Sequence, residues 1–114
     1  MTSSPLDREL PLIDLAVTGP TSEPTLRVQG EIDVATAPQL RDALADLVDS
    51  GARRITLDLG AVGFVDSSGL GVLVGALRRL DQSGGRLRIE HVQDSVRKVF
   101  EITGLGPMFG LAPR

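Results

Sequence analysis

The fold of this chain is set by residues 53–83, which read RRITLDLGAVGFVDSSGLGVLVGALRRLDQS. Apolar and polar residues alternate in the first part, and this period of two predicts a strand from Arg53 to Leu59. The stretch from Gly60 to Asp66 consists mainly of glycine and small apolar residues, which predicts a connection. A helix should begin near Ser67–Ser68, because leucines then recur at helical spacing, and it should end at Ser83-Gly84-Gly85.

Two further strands are predicted before this segment. Period-two alternation runs from Ile13 to Val17 and resumes from Leu26 to Ile32. The residues between them, Gly19 to Pro24, are rich in turn formers. Because the loop is short and polar, the two strands are predicted to form an antiparallel pair.

The remaining elements alternate between helices and strands. A helix is predicted from Thr36-Ala37-Pro38-Gln39 to Gly51, with Thr36 as its cap and Gln39 completing a capping box. A strand should follow over Arg86–His91, then a helix capped by Asp94 and ended by Gly104. The tail has room for one short edge strand around Met108–Leu111. The sequence thus predicts an α/β fold: a mixed sheet of four to five strands with an N-terminal antiparallel pair and covering helices.

Composition excludes several classes of function. The 114 residues contain no cysteine and one histidine, so neither thiol chemistry nor a Cys/His metal site is expected. The 15 acidic residues outnumber the 12 basic ones, and only three side chains are aromatic. A chain with that balance lacks the positive surface and stacking platforms of a nucleic-acid-binding protein. No direct DNA binding is therefore predicted.

Length and hydropathy favour one domain away from the membrane. Residues 1–10 are polar and are predicted to be a flexible segment, and residues 11–114 to form a single domain. The longest strongly apolar stretch, Gly69–Leu77, is nine residues long, whereas a membrane span needs about 20. The first residues, MTSSPLDREL, lack the features of a signal peptide. A cytoplasmic protein without membrane insertion is predicted.

The predicted helix that begins near Ser67 has two contrasting faces. On a helical wheel, one face is an apolar stripe that should pack in the core, made of Leu70, Leu73, Val74, Leu77 and Leu80. The opposite face holds Ser68, Gly71, Val72, Gly75, Arg78 and Arg79. Glycine in a helix interior costs roughly 1 kcal/mol relative to alanine. Either another part of the chain crosses this face, or a partner protein approaches it; the apolar Val72 favours the partner.

The start of this helix, Asp66-Ser67-Ser68-Gly69, also has two interpretations. Aspartate and serine are ordinary capping residues, and most such sequences do nothing else. A strand-to-helix connection is also a usual place for a functional site. The N–H groups of a first helical turn would tolerate an anion or a phosphate on Ser67 or Ser68. The spacing of these residues leaves both interpretations open.

Enzymatic and metal chemistry are not predicted. A serine hydrolase would need a Gly-x-Ser-x-Gly turn and a later histidine, whereas Ser68 follows Asp66-Ser67 and His91 lies at a strand end. Asp33, Asp58 and Asp66 fall near strand ends and could converge on Mg²⁺, but capping and turn roles are commoner for aspartate at such positions. We expect no enzyme, no metal and no cofactor.

Three segments resemble the signatures of the anti-sigma factor antagonist family, also called STAS domains. The first is Gly30-Glu31-Ile32-Asp33 with Thr36-Ala37-Pro38 and the helix that follows. The second and most specific is Ile55–Leu59 followed by Phe64-Val65-Asp66-Ser67-Ser68-Gly69-Leu70-Gly71-Val72-Leu73. The third is Val99–Leu105. Together they cover roughly residues 10 to 110, in the family's order.

This resemblance implies partner switching without catalysis. Family members of this type bind a serine kinase that otherwise holds a sigma factor inactive, and that binding frees the sigma factor. The kinase phosphorylates one serine of the antagonist, which then dissociates, and a metal-dependent phosphatase of the PP2C type restores the binding form. The family's acceptor corresponds to Ser67, with Asp66 as its acidic neighbour and Gly69-Leu70-Gly71 at the start of the contact helix. Asp33 and Thr36 correspond to the flanking loop.

The residues predicted to contact the partner combine the resemblance with the outer helix face. They are Asp33, Thr36, Asp66, Ser67, Ser68, Gly69, Gly71, Val72, Gly75 and Arg79. A phosphate on Ser67 adds about −1.5 to −2 charge. The helix N-terminus is expected to accept that charge, so that the fold survives while Asp66 and the partner's surface repel it.

One departure and one alternative accompany the resemblance. Family members commonly carry a further C-terminal helix, and this sequence stops at Arg114, which bears on dimerisation; a monomer or weak dimer is expected. The alternative is a STAS module that does not switch and acts as a scaffold or as a sensor of a nucleotide or other ligand. The retained Asp66-Ser67 pair favours the switching function.

Overall fold

The computed structural model describes residues 13–111. The predicted flexible segment, residues 1–10, lies outside this range. Seven elements and one short 3₁₀ helix follow one another: β1 (Asp14–Thr18), β2 (Thr25–Ile32), α1 (Ala37–Asp49), β3 (Arg54–Val65), α2 (Ser67–Gln82), β4 (Arg86–Glu90), α3 (Asp94–Thr103) and the 3₁₀ helix Gly106–Phe109. Within the described part of the chain, no helix combines the length and the apolar character that crossing a membrane requires.

The strands form one mixed sheet in the order β1-β2-β3-β4. The short loop between β1 and β2 allows only a reversal of direction, and these two strands are antiparallel. Helical crossovers carry the chain from β2 to β3 and from β3 to β4, and both of those pairs are parallel. The predicted mixed sheet with an N-terminal antiparallel pair is confirmed, with four strands in the described residues.

Alternation along the strands places the core on one side of the sheet. Leu26, Leu57 and Ile89 occupy one register row across β2, β3 and β4, and all three side chains are buried. Neighbouring positions such as Arg27 and Arg88 are exposed, because successive side chains of a strand point to opposite faces. Helices α1 and α2 pack beside each other, and Leu40, Leu44, Leu73 and Leu80 complete the buried cluster.

Strand β3 is longer than the sequence predicts. The segment 60–66, expected to be a connection, continues the strand to Val65 and pairs with β2 as far as Ile32. Between the pairs Arg27–Asp58 and Gln29–Ala61, β2 advances two residues while β3 advances three, and a second irregularity leaves Gly63 as the extra residue. Bulges accommodate glycines that have little strand propensity, so pairing with β2 overrides the local signal.

The predicted edge strand around Met108–Leu111 is wrong. Gly106–Phe109 form a 3₁₀ helix, which ends where Gly110 takes φ 77°. Pro107 has no N–H to donate to a sheet ladder, and its fixed φ suits the first turn of a helix. This turn buries Phe109 against Phe100 in an edge-to-face contact with ring centroids 5.6 Å apart. Residues 106–111 therefore close the core beside β4 and add no strand.

Candidate functional site

The carboxyl ends of the two central strands, β2 and β3, lie side by side at one end of the sheet. We call this end, where the strands stop, the sheet edge. The N–H of Asp66, just after β3, donates to the carbonyl of Ile32, the last residue of β2, over 3.1 Å. The loop that leads into α1 and the first turn of α2 are thereby neighbours. This is the edge at which parallel sheets usually carry their sites.

Asp66 caps helix α2 with its own side chain. One carboxylate oxygen accepts hydrogen bonds from the N–H groups of Ser68, over 2.9 Å, and Gly69, over 3.2 Å. From the sequence, these N–H groups were expected to be available to an anion or a phosphate. The structure corrects that expectation, since the carboxylate already occupies them. Ser67, the first residue of α2, is exposed to solvent.

The loop before α1 is held by a compact hydrogen-bond network. One carboxylate oxygen of Asp33 accepts from the N–H groups of Ala35, over 2.9 Å, and Thr36, over 3.1 Å. The hydroxyl of Thr36 donates to the carbonyl of Glu31 over 2.7 Å and accepts from the N–H of Asp33 over 2.9 Å. Asp33 and Thr36 therefore fix the shape of the loop that flanks Ser67.

Three predicted capping roles are corrected at the helix starts. Thr36 stands at the N-cap position of α1, but its buried hydroxyl bonds back to the strand end and makes no capping hydrogen bond. The carboxamide oxygen of Gln39 accepts from the N–H of Ile13. Asp94 lies in the first turn of α3, one residue after the N-cap Gln93. In α1, the demands of the neighbouring strand override a local capping pattern.

A groove of about 460 Å³ lies between α1 and α2. Helix α2 contributes five of the predicted contact residues to its lining, namely Ser68, Gly71, Val72, Gly75 and Arg79, together with Ala76. Helix α1 contributes four residues that the sequence analysis missed: Arg41, Leu44, Ala45 and Val48. The helical spacing of Leu44 and Val48 was the one feature of the sequence that could have indicated them. Helical spacing alone predicts that both side chains lie in the core, and it cannot show that a groove opens beside them.

The glycines of α2 have different structural reasons. A Cβ built on Gly69 would lie 2.6 Å from Cγ2 of Ile32 and 3.1 Å from Cγ1 of Val65, so the close packing of α2 on the sheet requires this glycine. Gly69 is itself buried and offers no surface to a partner. A Cβ on Gly71 or Gly75 would meet nothing within 4 Å. Within residues 13–111, no segment crosses there, which removes the intramolecular explanation for that part of the chain.

The far end of the groove is closed by an ion pair between helices. The guanidinium of Arg79 on α2 bonds to the carboxylate of Asp49 on α1. Both side chains are about half exposed, so the pair contributes little to stability. The groove therefore runs from Ser68, beside the acceptor position, to this ion pair.

The three aspartates considered as metal ligands bond to backbone groups. Asp33 and Asp66 hold the two turns described above, and the carboxylate of Asp58 accepts from the N–H of Gly60 over 3.0 Å. The described residues contain no group of three or more His, Cys, Asp or Glu side chains that could hold a metal ion.

Comparison with known proteins identifies the same kind of domain. The family model described as "Mlab, STAS domain" matches residues 15–111. The anti-sigma-B factor antagonist of Staphylococcus aureus (strain NCTC 8325 / PS 47) is 42% identical over 80 residues, which are 70% of this chain and 74% of that protein. The protein of the same name from Bacillus subtilis (strain 168) is 36% identical over 89 residues, 78% of this chain and 81% of that protein.

Solved structures of anti-sigma factor antagonists share the fold of this chain. An anti-sigma factor antagonist from Mycobacterium paratuberculosis superposes with a TM-score of 0.78 at 30% identity, covering 90% of this chain and 86% of that one. The anti-sigma factor antagonist SpoIIAA in its unphosphorylated form superposes with a TM-score of 0.75 at 28% identity, covering 90% and 89%.

Proposed function

The chain belongs to the STAS domain family, among its anti-sigma factor antagonists, and we propose that it is a phosphorylation-controlled member. Its relatives are regulatory binding proteins and not enzymes. In the proposed cycle, the unphosphorylated chain binds an anti-sigma serine kinase and so frees a sigma factor. Phosphorylation of Ser67 ends the binding, and a PP2C-type phosphatase restores it.

One observation carries this proposal: an exposed serine stands at the mouth of a groove whose glycines the described fold does not need. Ser67 begins α2, and the next residue, Ser68, already lines the groove. Gly71 and Gly75 leave open space on the same helix. Acceptor and docking surface are therefore continuous, so that a partner bound in the groove also covers the site of modification.

The proposed contact residues divide into two groups. Ser68, Gly71, Val72, Gly75 and Arg79 are exposed or half-buried along the groove, Ser67 is exposed beside it, and together they supply the contact surface. Asp33, Thr36, Asp66 and Gly69 hold the two turns and the packing that present Ser67. We therefore assign the second group a positioning role.

Electrostatics at the start of α2 support a switch by repulsion. A phosphate on Ser67 would add about −1.5 to −2 charge beside the carboxylate of Asp66. That carboxylate already uses the N–H groups of Ser68 and Gly69, so the helix start has little left to neutralise the phosphate. The uncompensated charge would stand at the interface, where burying it on binding is costly. The phosphate would lie at the exposed start of α2, outside the hydrophobic core, so we expect the domain to stay folded.

The test is phosphorylation of the purified chain by its cognate kinase and ATP, followed by mass spectrometry and mapping of the site. We expect a gain of one phosphate on Ser67 and loss of kinase binding. Ser67→Ala should stay folded, bind the kinase and gain no phosphate. Ser83→Ala, at the other end of α2 and outside the groove lining, is the matched control and should still bind and be phosphorylated on Ser67.

Other outcomes would contradict the proposal in different ways. Phosphate on Ser68 or Thr36 would show that the acceptor is misassigned. Thr36 is a poor candidate in this fold, because its hydroxyl is buried and hydrogen-bonded. Absence of both binding and phosphate would favour the STAS module that acts as a scaffold or ligand sensor.

A further inference from the structure

Two exposed apolar side chains flank the proposed acceptor at the sheet edge. Val34, in the loop after β2, is 75% exposed, and Phe64, near the end of β3, is 48% exposed. Phe64 pairs in register with the exposed Glu31, and the next pair, Ile32 with Val65, is buried. Since successive strand residues face opposite sides, Phe64 lies on the side of the strand end away from the core.

The loop that carries Val34 is held in place by hydrogen bonds that leave this side chain exposed. The two residues that bracket the loop, Asp33 and Thr36, tie it down through side-chain bonds to backbone groups. The hydrogen bond from Asp66 to Ile32 keeps it beside the start of α2. Val34 and Phe64 therefore stand on the two strand ends from which Ser67 is presented, and we call them the edge pair.

The groove is too small to be the whole contact surface. It is lined by the ten residues from α1 and α2 given above, whereas a stable protein interface takes roughly 20–30 residues from each partner. An interface of that size would extend beyond the groove. Ser68 lines the groove next to Ser67, whereas the exposed Arg79–Asp49 ion pair lies at its other end.

The positions of the aromatic residues also favour the region around Ser67 as part of the interface. Side chains that dominate binding energy at interfaces are enriched in aromatics. The chain contains three phenylalanines and no tryptophan or tyrosine. Phe100 and Phe109 are buried against each other, which leaves Phe64 as the aromatic side chain that can reach a partner.

We infer that the edge pair, Val34 and Phe64, is a second docking surface for the kinase, beside Ser67; this inference rests on the proposed function. A serine that protrudes on a sheet edge must enter the kinase's catalytic cleft, so the cleft walls meet both sides of that edge. Apolar contacts on either side of Ser67 also sharpen the switch, because a phosphate between them is held away from water when the partner binds.

The inference is tested by measuring the affinity of Val34→Ser and Phe64→Ser for the kinase, together with their melting temperatures. Each variant should bind at least tenfold more weakly than the parent chain. Their melting temperatures should change little, since both side chains are substantially exposed. A double variant should bind more weakly than either single one.

Ile102→Ser is the matched control. Ile102 is 79% exposed and lies on α3. The start of that helix touches β3 through the hydroxyl of Ser95 and the carbonyl of Gly63. Ile102 is seven residues further along, about 10 Å at the rise of an α-helix. This variant should keep parent affinity.

The outcomes separate this inference from the proposed function. If the parent binds and is phosphorylated while both edge variants bind as tightly as the parent, the edge pair is not a docking surface and the proposed function stands. Equal weakening by Ile102→Ser would overturn the inference as well, since it would show a general response to lost surface hydrophobicity. If the parent itself neither binds nor gains phosphate, the proposed function has failed.

Discussion

The inner and outer faces of α2 are built from similar residue types under different constraints. On the inner face, Leu73 and Leu80 are fully buried, and Gly69 fits where any side chain would strike Ile32. On the outer face, Gly71 and Gly75 border open space in the described part of the chain. The inner residues are explained by the fold of the isolated domain. The described residues give no packing reason for the outer glycines, and the proposed function places the partner there.

The largest effect is expected from shortening an inner side chain. Leu73→Ala removes a fully buried side chain from the core and should lower the free energy of unfolding by about 2–5 kcal/mol. Val72→Ala, one residue away on the groove side, should cost clearly less because Val72 is only partly buried. Denaturant unfolding of both variants measures the difference. Equal losses would mean that α2 lacks the asymmetry described here.

Gly69→Ala should be the next most damaging change. The new methyl group would lie 2.6 Å from Cγ2 of the fully buried Ile32, so α2 or the strand end must shift. Overpacking of this kind typically costs about 1–3 kcal/mol of stability. Gly71→Ala, with no neighbour inside 4 Å, is the control and should not destabilise the domain. A stable Gly69→Ala variant would show that the contact relaxes without cost.

The cap of α2 should contribute less than its packed face. Asp66→Ala removes the acceptor for the N–H groups of Ser68 and Gly69. Loss of such a cap costs about 1 kcal/mol, which should appear as a lower melting temperature. Asp66→Asn keeps an oxygen acceptor and should retain most of the stability. If asparagine and alanine are equally destabilising, the negative charge and not the cap would be the important feature.

The smallest change in stability, and the one that tests the outer face, is expected from Gly75→Ala. Alanine is the better helix former by up to roughly 1 kcal/mol, and the site has room for it, so the isolated domain should keep or raise its melting temperature. Against the kinase, the methyl group should obstruct close packing and weaken binding by about tenfold or more, which is 1.4 kcal/mol. A destabilised domain with normal binding would reverse the comparison of the two faces.

Local patterns predicted most of the elements because their signals are strong. Leucine spacing in α2 and alternation in β2 reflect burial on one side, which leaves a direct trace in the sequence. The end of β3 has no such trace. Gly60, Ala61 and Gly63 have low strand propensity, and the strand continues through them because Ala61 and the residues around the two glycines pair with β2. The 3₁₀ helix at Gly106–Phe109 was not predicted, because a short apolar segment is compatible with either a strand or a turn.

The candidate site divides in the same way. The motif around Asp66 and Ser67 is readable from sequence, and the structure adds what the motif cannot show: the cap uses the N–H groups of Ser68 and Gly69. Whether a glycine of α2 packs against the sheet or borders open space also depends on the tertiary structure. The helical wheel places Gly71 and Gly75 on the outer face, but the close contact of Gly69 with the side chain of Ile32 is seen only in the tertiary structure.

The sequence by itself determined the α/β class, the positions of the helices and most strand residues, and the family signature around Ser67, because each depends on neighbours close along the chain. Only the tertiary structure decided that the loop with Val34 lies beside the strand end that carries Phe64 and Ser67, that Arg41 and Val48 of α1 share a groove with Gly75, and that nothing in the described chain fills it. These features arise where segments distant in sequence meet. Their spacing is set by the register of β2 on β3 and by the packing of α1 on α2, which no local pattern encodes.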